Sequence, residues 1–290
     1  LGDSFHLLNY LEIERKHCQN PSIFFYCKKK NQGRDFMRKI IVYFIFLSFI
    51  CLNAVKINEE KYLTSVLWQQ TAAEYRALCY QAYNLAETRI MEAKENATTK
   101  AIVVDVDETI LDNSFYRAEK IKNEDFNESF EYWIKKEKAE AVPGALEFLQ
   151  KADNLRFQIF YITNRDDKYR EFTLNNLNKL GFPQVNKEHL LMRQNKISDK
   201  TERRDSISER YELILLIGDN LLDFSQIFYG DHIQHRKELV DQYKAEFGRK
   251  FIILPNPIHG RWKKMFFHRN DKLTDEEKRS RLIDGLKGIE

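Results

Sequence analysis

The chain has 290 residues, enough for one large domain or a core domain with a small cap, and its 47 basic and 44 acidic residues leave a formal charge of only +3. That balance argues against a strong global field of the kind that drives nonspecific nucleic-acid binding, and no specific binding of a nucleic-acid polymer is expected. With 10 glycines and neither a G-x-G-x-x-G nor a G-x-x-x-x-G-K-[ST] string, neither a Rossmann cofactor loop nor a P-loop is indicated, so any phosphate must be handled by another device.

Residues 1–36 begin with Leu1 and precede Met37, and they read as an upstream extension outside any folded element. Met37-Arg38-Lys39 is followed by an apolar run over 40–55 with Ala54 near its end. This layout predicts a secretory signal over 37–54, or a retained N-terminal membrane anchor, although the run is short for a span of roughly 20 apolar residues. Export to a periplasm, cell surface or medium is the expected consequence. Cys51 raises lipidation as a third option, but Phe49 and Ile50 stand before it where small residues are expected. Only Cys79 of the four cysteines falls in the mature chain, so no intramolecular disulfide is expected there, and its apolar helical surroundings predict a buried structural thiol.

From 61 to 93 there is no glycine or proline, and Leu67, Ala72, Tyr75, Leu78, Cys79, Ala82, Tyr83 and Ala86 recur at helical spacing, which predicts one or two amphipathic helices. The continuous apolar run over 101–104 fits a strand buried on both faces, and similar runs at 157–162, 189–192, 213–217 and 250–254 alternate with helical segments. That alternation predicts an α/β fold with a parallel sheet between helices. Pro143-Gly144 opens one helix and Gly181-Phe182-Pro183 closes the next. The segment 113–141, with Phe126, Phe130, Tyr132 and Trp133 among many charges, breaks the pattern and is expected to form a small helical cap together with the early helices, the two contributions being 58–95 and 113–142. The charged tail from Asp271 reads as a solvated helix.

In open α/β sheets ligands bind beyond the carboxyl ends of the strands, so the residues after each apolar run carry the information. The first run ends in Asp105-Val106-Asp107-Glu108-Thr109, the second in Thr163-Asn164-Arg165, the third is followed by Lys196 and Lys200, and the fourth ends in Gly218-Asp219-Asn220 with Asp223 close behind. Asp105 and Asp107, at i and i+2 of an extended segment, project to one side. Their crowded charge calls for a cation, and Asp219 and Asp223 add hard oxygen ligands that suit Mg²⁺. With Asp105 as nucleophile, attack on phosphorus gives an aspartyl-phosphate. Asp107 is then the general acid for the leaving alcohol and the base for the following water. Thr163 and the backbone at Asn164 are candidate donors to phosphoryl oxygens, and one of the two lysines neutralises their remaining charge.

Simpler readings exist for each piece, since acids at strand ends commonly cap helices and Gly-Asp-Asn commonly turns. An EF-hand fails on Ile110 and Tyr116, which stand where glycine and glutamate are required. His189, His232, His235, His259 and His268 lack zinc spacing. What raises the acidic and basic residues above those readings is that each set follows its own strand.

The strings VVDVDETILDNS, FYITNR, SDKTERR and GDNLLDF resemble the four motifs of the class C, DDDD-type acid phosphatases of the haloacid dehalogenase (HAD) superfamily, whose members include outer-surface 5′-nucleotidases. The likeness runs from Trp68 to Trp262 and takes in AVPGALEF, VDQY and ILPNP. It implies a Rossmann-like HAD fold over 55–290, with Asp105 as nucleophile and Asp107 as acid/base and as metal ligand through its carbonyl. It further implies Asp219 as metal ligand, Asp223 as support for metal-bound water, Lys200 as the phosphate-neutralising lysine, and Thr163 and Asn164 as the phosphate-binding motif. Small phosphomonoesters such as nucleoside monophosphates are the implied substrates, with an acidic working range and aromatic side chains around the leaving group, for which Tyr116, Trp133 and Tyr229 are the candidates. A phosphotransferase or another HAD phosphatase is the alternative among enzymes. A noncatalytic storage or surface-binding relative is the alternative outside them, against which stands the physical cost of keeping the acidic cluster.

Overall fold

The computed structural model describes residues 63–123, 125–267 and 273–289. The chain divides into two units, 1–57 and 58–290, and all described residues belong to the second. The extension over 1–36, the signal or anchor over 37–54 and Cys51 lie outside the described residues. Among those described, no helix is long and apolar enough to cross a membrane.

Five parallel strands form the sheet. They are β1 (Lys100–Val104), β4 (Gln158–Asp166), β5 (Leu190–Arg193), β6 (Glu212–Gly218) and β7 (Phe251–Ile253), in the order β5-β4-β1-β6-β7. The expected α/β architecture is therefore present, with β1 at the centre, paired to β4 from Ala101↔Gln158 and to β6 from Lys100↔Glu212. All four residues 101–104 are buried, as a strand covered on both faces requires. Alternate residues then enter opposite layers. Ala101, Val103, Phe160, Ile162 and Leu216 meet Ile207, Phe224, Phe228 and Phe251 on one face. Ile102, Val104, Ile159, Tyr161, Leu215 and Ile217 form the core of the other.

That second face is covered by α1 (Ala73–Glu92) and α4 (Ala145–Asn154), through Tyr75, Cys79, Tyr83, Ala86 and Ile90 of the first and Ala145, Phe148, Leu149 and Ala152 of the second. The early helix is thus a layer of the sheet domain, a correction to its expected place in the cap. A helical turn of the sequence pattern shows which face is apolar but not what covers it, and the sheet offers the larger apolar surface. Fully burying side chains such as Ile90 and Phe148 contributes roughly 1.5–3 kcal/mol each. Only the start of the segment reaches the cap: the helical residues 63–71 break from α1 at extended Ala72, Gln69 Nε2 donates to Asp112 Oδ1 at 2.8 Å, and Gln70 Nε2 to Ser114 Oγ at 3.1 Å. Cys79 is free and buried.

The cap itself hangs on a two-stranded neck, β2 (Leu111–Asp112) antiparallel to β3 (Glu140–Ala141). Between them lie α2 (Ser114–Lys122) and α3 (Phe130–Lys136), the latter capped by the Ser129 hydroxyl. Helices α5 (Arg170–Leu180), closed by left-handed Gly181, α6 (Thr201–Ser208), α7 (Ile233–Gln242), α8 (Arg261–Lys264) and α9 (Asp275–Asp284) complete the described elements named here. Helix α4 starts at Ala145 behind left-handed Gly144, so Pro143 sits one residue before the cap and not in the first turn.

Candidate active site

After β1 the chain moves outward through β4 to β5, then returns to place β6 on the opposite side of β1. This reversal opens a crevice at the carboxyl ends of β1 and β6, where an open α/β sheet binds ligands. Asp105 stands at that point. Its backbone N–H extends the ladder by donating to Ile217 O at 2.9 Å, and its carboxylate is buried. Asp219 follows β6, and Asp223 comes back over it through a short helical turn, Leu221–Asp223, closed by a reciprocal Asn220–Asp223 capping box. Gly218 makes this possible, because a Cβ there would lie 2.5 Å from the Asp223 side chain.

Carboxylate oxygens of Asp105, Asp219 and Asp223 come within 4.8 Å of one another. Burial pushes the Asp105 carboxyl up to about 7, reinforced by Asp223 and Asp107 and opposed by Lys200. Burial also carries Asp219 well above the usual carboxylate range, with Asp223, Asp105 and Glu108 adding repulsion. Three hard oxygen donors with unbalanced negative charge fit a divalent cation, which would hold all three ionised. Asn256 Nδ2 fixes one oxygen of Asp219 at 2.7 Å, and the Thr109 hydroxyl lies 3.3 Å from Asp105 Oδ2 and 3.4 Å from Asp219 Oδ1.

Lys200 is the lysine that enters the site. It is buried, and its ammonium donates to Asp105, to Asp223 Oδ1 at 2.7 Å and to Ile162 O at 2.7 Å. Burial alone would lower its pKa, but the two carboxylates outweigh burial and raise it. Lys196, its rival in the sequence, is exposed in a left-handed turn.

Asp107 lives in different surroundings. Arg165, itself buried, grips Asp107 Oδ1 from Nη2 at 2.7 Å and from Nε at 3.0 Å, Asn113 Nδ2 donates to the same oxygen at 3.0 Å, and the Thr163 hydroxyl lies 3.3 Å from Oδ2. Burial works to raise its pKa, yet the Arg165 charge and these hydrogen bonds carry it below the ordinary value. Its carboxylate therefore belongs to the arginine and is not one of the three that converge for a cation.

A family model described as HAD superfamily, subfamily IIIB (acid phosphatase), matches residues 51–262. The chain belongs to this family. The class C acid phosphatase of Bacillus anthracis has the same fold at 39% identity with a TM-score of 0.76. Its structure with tungstate bound aligns over 80% of this chain and 99% of that one, and a second structure over 81% and 100%. Acid phosphatase 1 of Solanum lycopersicum is 30% identical over 130 residues, 42% of this chain and 50% of that protein. A stem 31 kDa glycoprotein of Glycine max is 26% identical over 171 residues, 57% of this chain and 64% of that protein. The chain thus matches between half and two thirds of the length of these plant relatives.

As a subfamily IIIB member the chain brings Asp105, Lys200, Asp219 and Asp223 together, with Asp107 and Thr163 beside them. The side chain of Asn164 is engaged elsewhere. Its side chain donates to Ser198 O at 3.0 Å and accepts from Arg203 Nη2 at 2.8 Å, while Arg203 Nη1 also holds Thr163 O at 2.8 Å. The amide is therefore spent on joining the tip of β4 to the segment that carries Lys200, which leaves the backbone at Asn164 as its candidate donor.

The three aromatic candidates separate. Tyr116 is 3% exposed, its hydroxyl donates to Glu128 O at 3.0 Å, and its ring meets Phe126 and Phe130, so it packs the cap and offers no surface to a leaving group. Trp133 is partly buried and donates from Nε1 to Asn113 Oδ1 at 2.8 Å. Tyr229 is partly buried beyond β6, with the Arg261 guanidinium 3.4 Å above its ring.

Several site residues carry no role in the sequence reading. Asn113 sits inside the first motif string and Asn256 inside ILPNP, but a lone Asn has no spacing signature. Arg165 follows the second apolar run in the sequence, but its partner Asp107, 58 positions away, is visible only in the fold. Glu108, buried with φ 58°, pairs with His259 Nε2 at 3.0 Å, and that charge partner raises the histidine pKa against the lowering effect of burial.

Proposed function

We propose that this protein is a magnesium-dependent acid phosphatase that hydrolyses small phosphate monoesters, nucleoside 5′-monophosphates among them, through a phosphoenzyme on Asp105, and that it acts outside the cytoplasm. The observation that carries the reading is the position of Asp105, buried at the β1/β6 crevice between the Lys200 ammonium on one side and Asp219 and Asp223 on the other. A relative solved with tungstate, a tetrahedral oxyanion, supports the same reading. So does the cost of the acidic group, which a merely structural descendant has no physical reason to keep.

An Asp105 oxygen attacks phosphorus, the bond from phosphorus to the ester oxygen breaks, and the departing alkoxide takes a proton from the Asp107 carboxyl. Water then gives a proton to Asp107 and attacks the aspartyl-phosphate, releasing inorganic phosphate and Asp105. Arg165 and Asn113 keep Asp107 ionised at rest, the form the second step uses. An acidic medium favours the protonated form the first step uses. Lys200 and the backbone at the tip of β4 offset phosphoryl charge. A divalent cation among Asp105, Asp219 and Asp223 would screen the carboxylates from the incoming phosphate. Trp133 and Tyr229 are the aromatic surfaces proposed for the leaving group.

The test is hydrolysis of 4-nitrophenyl phosphate and of nucleoside monophosphates by the purified chain, with Mg²⁺ or chelator and across pH. Asp105→Asn abolishes turnover while circular dichroism stays unchanged. Turnover retained in that variant would remove Asp105 as nucleophile, and indifference to chelator would remove the metal. N-terminal sequencing of exported material tests export and cleavage of the leader.

A further inference from the structure

Asn113 is the residue at which the chain leaves β2 and enters the cap, and it is completely buried. Both ends of its amide are committed. Nδ2 donates to Asp107 Oδ1 at 3.0 Å, and Oδ1 accepts from Trp133 Nε1 at 2.8 Å with Arg165 Nη2 3.5 Å away. An ionised carboxylate only accepts and an indole N–H only donates, so one orientation of the amide satisfies both neighbours. The two oxygens of Asp107 are thereby made unequal. Oδ1 takes the short contacts from Arg165 Nη2 at 2.7 Å and Nε at 3.0 Å as well as Asn113, whereas among the described residues Oδ2 has Arg165 Nε at 3.2 Å and Thr163 Oγ1 at 3.3 Å.

We infer that Asn113 is a positioning residue which ties the orientation of the Asp107 carboxylate to the seating of Trp133 in the cap, leaving Oδ2 as the oxygen that exchanges protons with the leaving group and the attacking water. The inference rests on the acid/base reading of Asp107 above and adds that the cap belongs to the proton-transfer apparatus. Trp133 is the far end of the relay, through one indole N–H and one amide. Loss of either link leaves Arg165 to hold the carboxylate without the amide that fixes its tilt, and misplacement of a reacting group by about 1 Å costs on the order of 100-fold in rate.

Proton donation matters most when the departing alkoxide is a strong base, so the relay has a readout that general loosening of the cap does not share. Turnover is measured on phosphate esters running from 4-nitrophenyl through phenyl to a simple alkyl ester, for the full chain and for Asn113→Ala, Trp133→Phe, the double variant and Asp107→Asn. Asn113→Ala lowers kcat/KM, which reports the steps up to ester cleavage and leaves out the phosphoenzyme hydrolysis common to all esters, roughly 10–100-fold for the alkyl ester and by less than about threefold for the 4-nitrophenyl ester. Trp133→Phe, which keeps a ring and removes the donor, steepens the dependence in the same sense by a smaller factor, and the double variant is no steeper than Asn113→Ala. If Asn113→Ala does not fold, the slope of Trp133→Phe decides. A loss of kcat/KM that is uniform across all esters, or no loss of it, overturns the relay. Should Asp107→Asn be steep while both relay variants stay parallel to the parent, only the relay falls; a flat Asp107→Asn removes the acid role and the relay with it.

Discussion

With its cation removed, the protein is expected to gain stability as the pH falls from 7 to 5, the reverse of ordinary acid denaturation. The sign comes from the buried carboxyls. Asp105 has a folded pKa of about 7, so its ionised form is penalised in the fold and relieved by each step of protonation above the unfolded value of about 3.9. Over the window from pH 7 to 5 that group alone contributes about 2 kcal/mol, rising as the pH falls. Asp219, also raised, adds in the same direction. So does His259, whose raised pKa gives stability that is fully present below the unfolded value of about 6.5 and is lost as the pH climbs through the folded one. Asp107 is lowered, and the stability it brings is lost only as the pH falls below about 3.9 towards its folded value, outside the window. For a domain of this size 2 kcal/mol corresponds to a Tm increase of about 4–8 °C.

Differential scanning calorimetry of chelator-treated protein at several pH values checks the slope, and two comparisons assign it. Asp105→Asn replaces the titrating carboxyl by an isosteric amide and flattens the rise. Saturating Mg²⁺ reverses it, because protons then compete with a bound cation. Metal-free protein that loses stability between pH 7 and 5, or an Asp105→Asn slope equal to that of the parent, would refute the electrostatic reasoning.

Three further outcomes follow from single contacts. Lys200→Met leaves Asp105 and Asp223 buried without their ammonium, and the metal-free protein at pH 7 loses about 3–5 kcal/mol in denaturant unfolding, part of which Mg²⁺ restores. Gly218→Ala drives a methyl to within 2.5 Å of the Asp223 side chain, costing about 1–3 kcal/mol, and isothermal calorimetry reads a roughly 10–100-fold loss of cation affinity as Asp223 is displaced. Tyr83→Phe removes the hydroxyl that donates to Thr109 O at 2.7 Å, and the stranded buried carbonyl lowers unfolding free energy by about 1–3 kcal/mol.

Much of this site was legible before any coordinates because strand and motif coincide. The run over 101–104 has no polar residue, so its end is sharp, and Asp105 and Asp107 fall where a central strand releases the chain. The boundary of β4 was harder. Its strand runs on through Thr163, Asn164 and Arg165, where the pairing with β5 is irregular, to Asp166 opposite Arg193, polar residues that mask a strand whose later side chains serve the site and not the core. Long-range partners were out of reach for a different reason. Nothing local distinguishes an arginine that clamps Asp107 from one on a solvated face.

Asp105 and Asp107 stand two positions apart on one segment, yet their surroundings push them in opposite directions. Asp107 is paired with a guanidinium and held ionised, whereas Asp105 faces two further acids with only one ammonium between them. If Asp105 is the nucleophile, as proposed, a carboxyl whose proton leaves only near pH 7 is largely protonated, and so unreactive, under the acidic conditions in which Asp107 would supply a proton. Both requirements are met together when a cation lies among Asp105, Asp219 and Asp223, since it lowers the Asp105 pKa and leaves Asp107, turned toward Arg165, comparatively unaffected. On the proposed mechanism, acidic working conditions and metal dependence are then a single requirement, imposed by burying Asp105 among acids.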